Sequence, residues 1–317
     1  MQRNAEVGLF TKPSKFKKRK PKTLKEIHFG PVTFIPGENH GKYPFCHSIY
    51  IEGAGILIDP ASDRERLIEL RKNRSVKEIW LSHWHEDHHT HLDLFDDLPL
   101  CISEPDAPPL SDLDLFMDSY GEMYAEERDY WRAILLEQFH FRPRKPVRFL
   151  ENREIINFDN VTVEVIGAPG HTPGHIALLF REPGVLFMAD YDLTRFGPWY
   201  GDKNSSIEDT IESVNRLRNI TANVWITCHE TGVFEEEPGY LWDQYLDVIN
   251  EREKKLLKLL EQPQTFKDIV GAWIIYRRPR EPKEFYEFGE RSLMKKHLEK
   301  LINQGVVTMK GERYYKI

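Results

Sequence analysis

His83, His85, Asp87 and His88 fall together in the run Leu81-Ser82-His83-Trp84-His85-Glu86-Asp87-His88-His89. Imidazoles mixed with carboxylate suit zinc, iron or manganese and do not favour calcium or magnesium, which prefer oxygen donors. The cluster follows directly on an apolar stretch, residues 76–82, whose Ile79, Trp80 and Leu81 read as the buried end of a strand. Past a strand end, residues two apart point the same way, so His83 and His85 can converge on one ion. Asp87 and His88, a tight turn later, face the other way and can hold a second.

Two ions need about six or seven ligands, so more donors must come from elsewhere. Three further strand-like runs each lead to a candidate: residues 161–167 to His171, residues 185–188 to Asp190, and residues 224–227 to His229. If those strands share a sheet, their ends form one rim. His171 could then join His83 and His85, His229 could join Asp87 and His88, and Asp190 could bridge the ions.

These segments resemble, in order, the five motifs of the metallo-β-lactamase superfamily. Ile56-Leu57-Ile58-Asp59 is similar to the first and His83 to His88 to the second. Gly170-His171-Thr172-Pro173-Gly174-His175 is similar to the third, Ala189-Asp190 to the fourth and Cys228-His229 to the fifth. The resemblance implies one metal on His83, His85 and His171, a second on Asp87, His88 and His229, and Asp190 between them. It places Asp59 behind the ligands, and we read His175 as a supporting histidine behind them and not as a ligand. It also implies an α/β fold, the αββα sandwich, with the site along one sheet edge. The stretch His88-His89-Thr90-His91 departs from the glycine common in this part of the family, and we expect His91 to project to solvent.

Such a site implies a dinuclear hydrolase. Water held between two divalent cations, zinc first with iron or manganese as alternatives, loses its proton near neutral pH and attacks an ester, thioester or phosphodiester bond. Asp87 and Asp190 partly neutralise the ions and can handle the proton. Tyr191, Arg195, Trp199 and Tyr200 follow the bridging aspartate and are expected to wall the pocket. Flavodiiron chemistry is disfavoured, because His85 stands where that branch has Glu and no flavodoxin-like segment follows. A mononuclear iron oxygenase like the persulfide dioxygenases, and a single-strand RNA endonuclease, are the alternatives on this scaffold.

The chain is 317 residues long and 40% hydrophobic, enough for one large core and a small appended domain. Its three cysteines, Cys46, Cys101 and Cys228, lack paired spacing, which points to a reducing compartment and a cytoplasmic location. No stretch approaches a membrane span. Charge divides the chain: residues 1–22 carry 8 Lys/Arg against 1 acid, residues 23–250 carry 20 against 40, and residues 251–317 carry 16 against 10. We therefore expect a basic flexible arm over 1–22, a catalytic domain over 23–250 and a small domain over 251–317.

In that last segment residues 251–260, 265–272 and 290–304 read as helices and residues 306–317 as a hairpin around Lys310-Gly311. The order resembles the C-terminal winged helix of the lactamase-like group that includes a single-strand endoribonuclease and fungal thioesterases. Such a domain either reads nucleic acid or packs beside the active-site mouth, and packing is the expectation. Residues 103–146 form an insertion between the second and third motifs, with helices broken at Gly121 over 112–140. Its Tyr120, Tyr124, Tyr130 and Trp131 have the spacing of core residues, and the insertion is placed to lid the site. The partners implied are a small ester or thioester or single-stranded RNA, with no membrane.

Overall fold

The computed structural model describes residues 25–73 and 75–317, so the basic arm expected at 1–22 lies outside the described residues. Two sheets face each other. The first runs in the order β1 (Ile27–Phe29), β2 (Val32–Ile35), β3 (Ser48–Ile51), β4 (Ile56–Ile58), β5 (Glu78–Trp80), β6 (Leu100–Ile102) and β7 (Arg148–Phe149). Its first four strands meander antiparallel and the last four run parallel. The second holds β8 (Ile155–Phe158), β9 (Val161–Gly167), β10 (Ile176–Phe180), β11 (Val185–Phe187), β12 (Val224–Ile226) and β13 (Val233–Phe234), paired in chain order with one parallel step between β11 and β12.

Alternation decides what faces inward. In β9, Val161, Val163 and Val165 are buried while Thr162 and Glu164 are only partly so, the period-2 pattern of a strand with one face on a core. Those valines meet Ile49, Ile51, Ile56 and Ile58 of the first sheet in a single apolar layer with Phe180 and Phe187. Each fully buried aliphatic or phenyl side chain there contributes about 1.5–3 kcal/mol relative to exposure. The outer face of the first sheet is covered by α1 (Arg64–Lys72), α2 (Leu113–Tyr120) and α3 (Ala125–Glu137). That of the second is covered by α4 (Ile207–Arg218) and the first half of α5 (Tyr240–Leu259), through Val214, Leu217, Trp242 and Tyr245. The layers are therefore helix, sheet, sheet, helix, as the resemblance implied.

The insertion forms two helices on either side of Gly121, as expected, and α6 (Phe266–Gly271) and α7 (Lys283–Asn303) follow α5. Thr265 caps α6 by a reciprocal capping box with Asp268. The terminal hairpin, β15 (Val307–Lys310) and β16 (Arg313–Lys316), takes β14 (Gln264–Thr265) as a third strand that the sequence did not signal.

The expected domain boundary between residues 250 and 251 needs correction. It falls inside α5, whose Trp242 and Tyr245 pack on the second sheet while Ile249 and Leu256 enter the C-terminal core. Tyr200 and Ile207 share that core, and Phe288 of α7 packs in the core under the first sheet. The last segment is thus fused to the body by one continuous helix and two shared cores.

Candidate metal centre

The strands β4, β5, β11 and β12 finish at one edge, and each hands over to a polar residue there. Asp59 follows β4 with a backbone φ of 50°, a left-handed position that aspartate tolerates better than most residues. Its carboxylate accepts hydrogen bonds from the backbone N–H of Ser82 at 2.8 Å and from Ser82 Oγ at 2.7 Å, which pins the start of the histidine loop. The same carboxylate lies 3.0 Å from His88 Nδ1, leaving His88 Nε2 to face the site.

Two donor groups result. His83 Nε2, His85 Nδ1 and His171 Nε2 lie 3.0–3.1 Å from one another. That is close to the roughly 3.3 Å edge of a tetrahedral site with imidazole bonds of 2.0–2.1 Å. Asp87, His88 and His229 form the second group, with His229 Nε2 at 3.4 Å from Asp87 Oδ2. Asp190 stands between them: Oδ2 is 3.2 Å from His171 Nε2, and Oδ1 is 2.9 Å from His88 Nε2 and 3.2 Å from His229 Nε2. All seven expected donors are therefore brought together from four chain segments.

The far side of each ring is held. His171 Nδ1 is 3.2 Å from the Trp199 carbonyl, His229 Nδ1 is 3.1 Å from the Phe45 carbonyl, and His85 Nε2 is 2.8 Å from Asp202 Oδ2. These contacts fix the tautomers that turn the inner nitrogens toward the site. The His171 turn needs Gly170, whose φ is 128° and whose added Cβ would lie 2.3 Å from the Thr210 nitrogen. Asp106 clamps the same turn, accepting from Thr172 Oγ1 at 2.5 Å and from the Gly174 N–H at 2.6 Å.

The donor set fits divalent cations. Among the described residues, the buried His88 Nε2 and Asp190 Oδ1 have no hydrogen-bond partner and no Lys or Arg forms an ion pair with Asp87 or Asp190. Burial alone would raise the Asp190 carboxyl, but His88, His229, His83 and His171 hold it well below the usual carboxylate range. Burial pulls His85 down while Asp202 overrides it, lifting the ring to about 9. Metal uptake at neutral pH would therefore displace a proton there.

His175 lies behind the site: its Nε2 accepts from the Asp190 N–H at 3.3 Å, and its ring packs beside His83. His91 does not project to solvent as expected. It is partly buried, with Arg64 3.0 Å from its Nδ1, and sits beside Asp93 and His140. His89 is fully enclosed against Phe116. Of the four residues expected to wall the pocket, Tyr191, Arg195, Trp199 and Tyr200, only Trp199 lines the cleft. Tyr191 Oη contacts the carbonyls of Ala168 and Pro169, Arg195 points outward, and Tyr200 is buried between Arg252 and His297.

A cleft of about 320 Å³ opens above the donors. Tyr120 and Trp131, expected as core, are buried and also line it, while Tyr124 is exposed and Tyr130 packs at the edge of the helical core. Sequence reasoning missed Asp202, Asp106, Tyr43 and Glu86. Tyr43 donates to Glu86 at 2.7 Å and Tyr120 donates to the same carboxylate, so Glu86 ties the cleft floor to the metal loop. Tyr276, Phe285, Tyr286 and Phe288 close the far wall from the C-terminal segment. Phe285 stacks on Tyr43 at 5.2 Å and on Trp131 at 5.8 Å.

Comparison with known proteins agrees with this arrangement. Residues 41–229 match the Metallo-beta-lactamase superfamily. The chain is 24% identical over 242 residues to a beta-lactamase-like protein 2 homolog from Caenorhabditis elegans, covering 73% of this chain and 71% of that protein. It is 24% identical to an atrochrysone carboxyl ACP thioesterase from Paecilomyces divaricatus, covering 73% of this chain and 65% of the relative. It is 36% identical over 89 residues to a hydroxyacylglutathione hydrolase from Trichodesmium erythraeum, covering 26% of this chain and 34% of the relative. A metallo-beta-lactamase family protein from Thermus thermophilus superposes with a TM-score of 0.66 at 23% identity, covering 90% of this chain and 99% of its own. A beta-lactamase domain protein from Burkholderia ambifaria gives a TM-score of 0.68 at 16% identity, covering 94% and 96%. Among the described residues no helix is long and apolar enough to cross a membrane. With the family's sequence pattern running through the histidine loop to His229, its fold around them and hydrolase-named relatives beside it, this chain is an enzyme belonging to the metallo-beta-lactamase superfamily.

Proposed function

We propose that the chain is a dinuclear metal hydrolase of esters or thioesters. The observation that carries this reading is the placement of Asp190, which turns one carboxylate oxygen to each of two separate donor groups. His83, His85 and His171 would hold one ion, Asp87, His88 and His229 the other, and Asp190 would join both. When bound, a pair of zinc ions, or of iron or manganese, supplies a nucleophilic water at neutral pH and a Lewis acid for the carbonyl.

The chain's own residues do the rest. Asp59 and Asp202 hold the outer nitrogens of His88 and His85, so that their inner nitrogens face the site and would be the donors once ions displace their protons. Asp87 and Asp190 lie at the cleft floor and are the groups placed to take a proton from the attacking water. Tyr120, Trp131, Trp199 and Phe285 wall the cleft and exclude water from the acyl group.

The walls favour an uncharged, flat acyl group over a phosphodiester chain. The cleft has a single lysine, Lys42, and it lies 3.7 Å from Glu230. We read residues 251–317 as a winged-helix-like unit that serves to wall the active site. The test is a metal-replete screen of the full chain against a benzoyl thioester, a benzoyl ester, a succinyl thioester, a bis-phosphodiester and single-stranded RNA. Turnover of the benzoyl compounds above the others is expected. RNA cleavage without esterase activity would overturn the reading, and so would an iron-dependent oxygen uptake with no hydrolysis.

A further inference from the structure

Beside the cleft lies a second groove of about 630 Å³ that shares two of its wall residues, Phe196 and Tyr276. Their rings lie 5.7 Å apart and make a ridge between the two spaces. Arg252 fixes that ridge from below: it is buried, donates to the Phe196 carbonyl at 2.7 Å and sits 4.9 Å from the Phe196 ring.

The groove is rich in exposed cations: Arg195, Lys255, Arg277 and Arg280 line it, against the two acids Asp247 and Glu251. None of the four cations forms an ion pair with a carboxylate among the described residues, and Glu251 is taken by Lys254 at 2.7 Å. Many arginines elsewhere are paired with carboxylates, as with Arg64 on Asp93, Arg71 on Asp97 and Arg144 on Asp96. Unpaired guanidinium groups suit phosphate, since the planar fork matches phosphate oxygens and is weakly hydrated.

We propose that this groove binds the phosphate of the leaving thiol, so that the substrate class is an acyl thioester of a phosphorylated carrier thiol. The inference rests on the hydrolase reading above and adds the second half of the substrate. The acyl group occupies the aromatic cleft, and the thiol arm crosses the ridge of Phe196 and Tyr276. Hydrolysis then forms the bond from water oxygen to the acyl carbon and breaks the bond from carbon to sulfur. The products are the carboxylic acid and the free thiol, with one proton from water passing to sulfur.

The experiment compares one acyl group on three carriers with the full, metal-replete chain: benzoyl-coenzyme A, benzoyl on the phosphopantetheine of an acyl carrier protein, and benzoyl-N-acetylcysteamine, which lacks phosphate. At least one phosphorylated carrier should exceed the cysteamine ester by about tenfold or more in kcat/KM, chiefly through KM. Which of the two leads identifies the source of the phosphate. In the Arg195→Ser/Arg277→Ser variant the gap should close to within about twofold, and salt should narrow it in the parent. Equal rates on all three carriers, or a gap that survives the double substitution, would overturn the proposal.

Calorimetric titration with free coenzyme A separates the two readings. If no thioester is turned over, the hydrolase assignment fails, yet binding that the double variant abolishes still upholds the groove. Absence of binding, or displacement of coenzyme A by single-stranded RNA at lower concentration, rejects it.

Discussion

His85 is held from both sides: its Nδ1 lies 3.0 Å from His171 Nε2, and its Nε2 lies 2.8 Å from Asp202 Oδ2. Trp199 Nε1 donates to the other Asp202 oxygen at 2.8 Å, so the carboxylate is itself aimed by the cleft wall. Asp202→Ala should weaken metal binding by about 10–100-fold, the usual cost of losing an outer carboxylate partner. Competition with a chromogenic chelator measures this, and unchanged affinity would remove Asp202 from the site.

Asp87→Ala addresses the second donor group. Its carboxylate is buried and faces His229. Occupancy should fall from about two ions per chain to about one, with most turnover lost and the fold retained. Elemental analysis alongside circular dichroism reads both. A variant that keeps its full metal content would show that Asp87 is no ligand.

His89 makes stability depend on acid. Burial first, then Arg144 and His88, depress the ring from the ordinary 6.5 to about 3, and neither of its nitrogens has a partner among the described residues. A depressed imidazole contributes stability that is complete above pH 6.5 and lost as pH falls toward the folded value. Below 6.5 the slope is about 1.4 kcal/mol per pH unit for each such histidine. His47, depressed to about 3, and His91, depressed to about 4, act in the same direction. His89→Leu should flatten part of the decline in thermal midpoint between pH 6.5 and 5. Parallel curves for the two proteins would contradict the assignment.

Arg291 of α7 reaches Glu127 of α3 with two hydrogen bonds of 2.6 and 2.9 Å, and both side chains are less than 10% exposed. Arg291→Ala leaves the Glu127 carboxylate buried without its partner, at a cost of about 3–5 kcal/mol. Denaturant unfolding should show that loss in a single transition, because α5 joins the C-terminal core to the body. Two separate transitions in the parent protein would refute the shared core.

The donors were legible because His83, His171, Asp190 and His229 each sit three or four residues past the end of a strand, and the rest of the histidine cluster follows His83 directly. The layering came from the family resemblance, because strand runs alone do not say which faces stack. Asp202 and Asp106 were not legible, since each reaches its partner by a long loop return that no local period encodes. His91 was misread because its environment is set by Arg64 and His140, far away in sequence. The boundary at 250 was drawn from a change in charge, whereas the apolar positions Trp242, Tyr245, Ile249 and Leu256 continue at helical spacing straight through it.

Phe285 and Tyr276 come after every donor in chain order. During synthesis the last of the donor imidazoles, His229, emerges from the ribosome about fifty residues before Tyr276 and Phe285 of the aromatic wall. A nascent chain at that stage carries every proposed ion donor but lacks Tyr276 and Phe285, so the far wall of the cleft is the last part of the site that this polypeptide acquires.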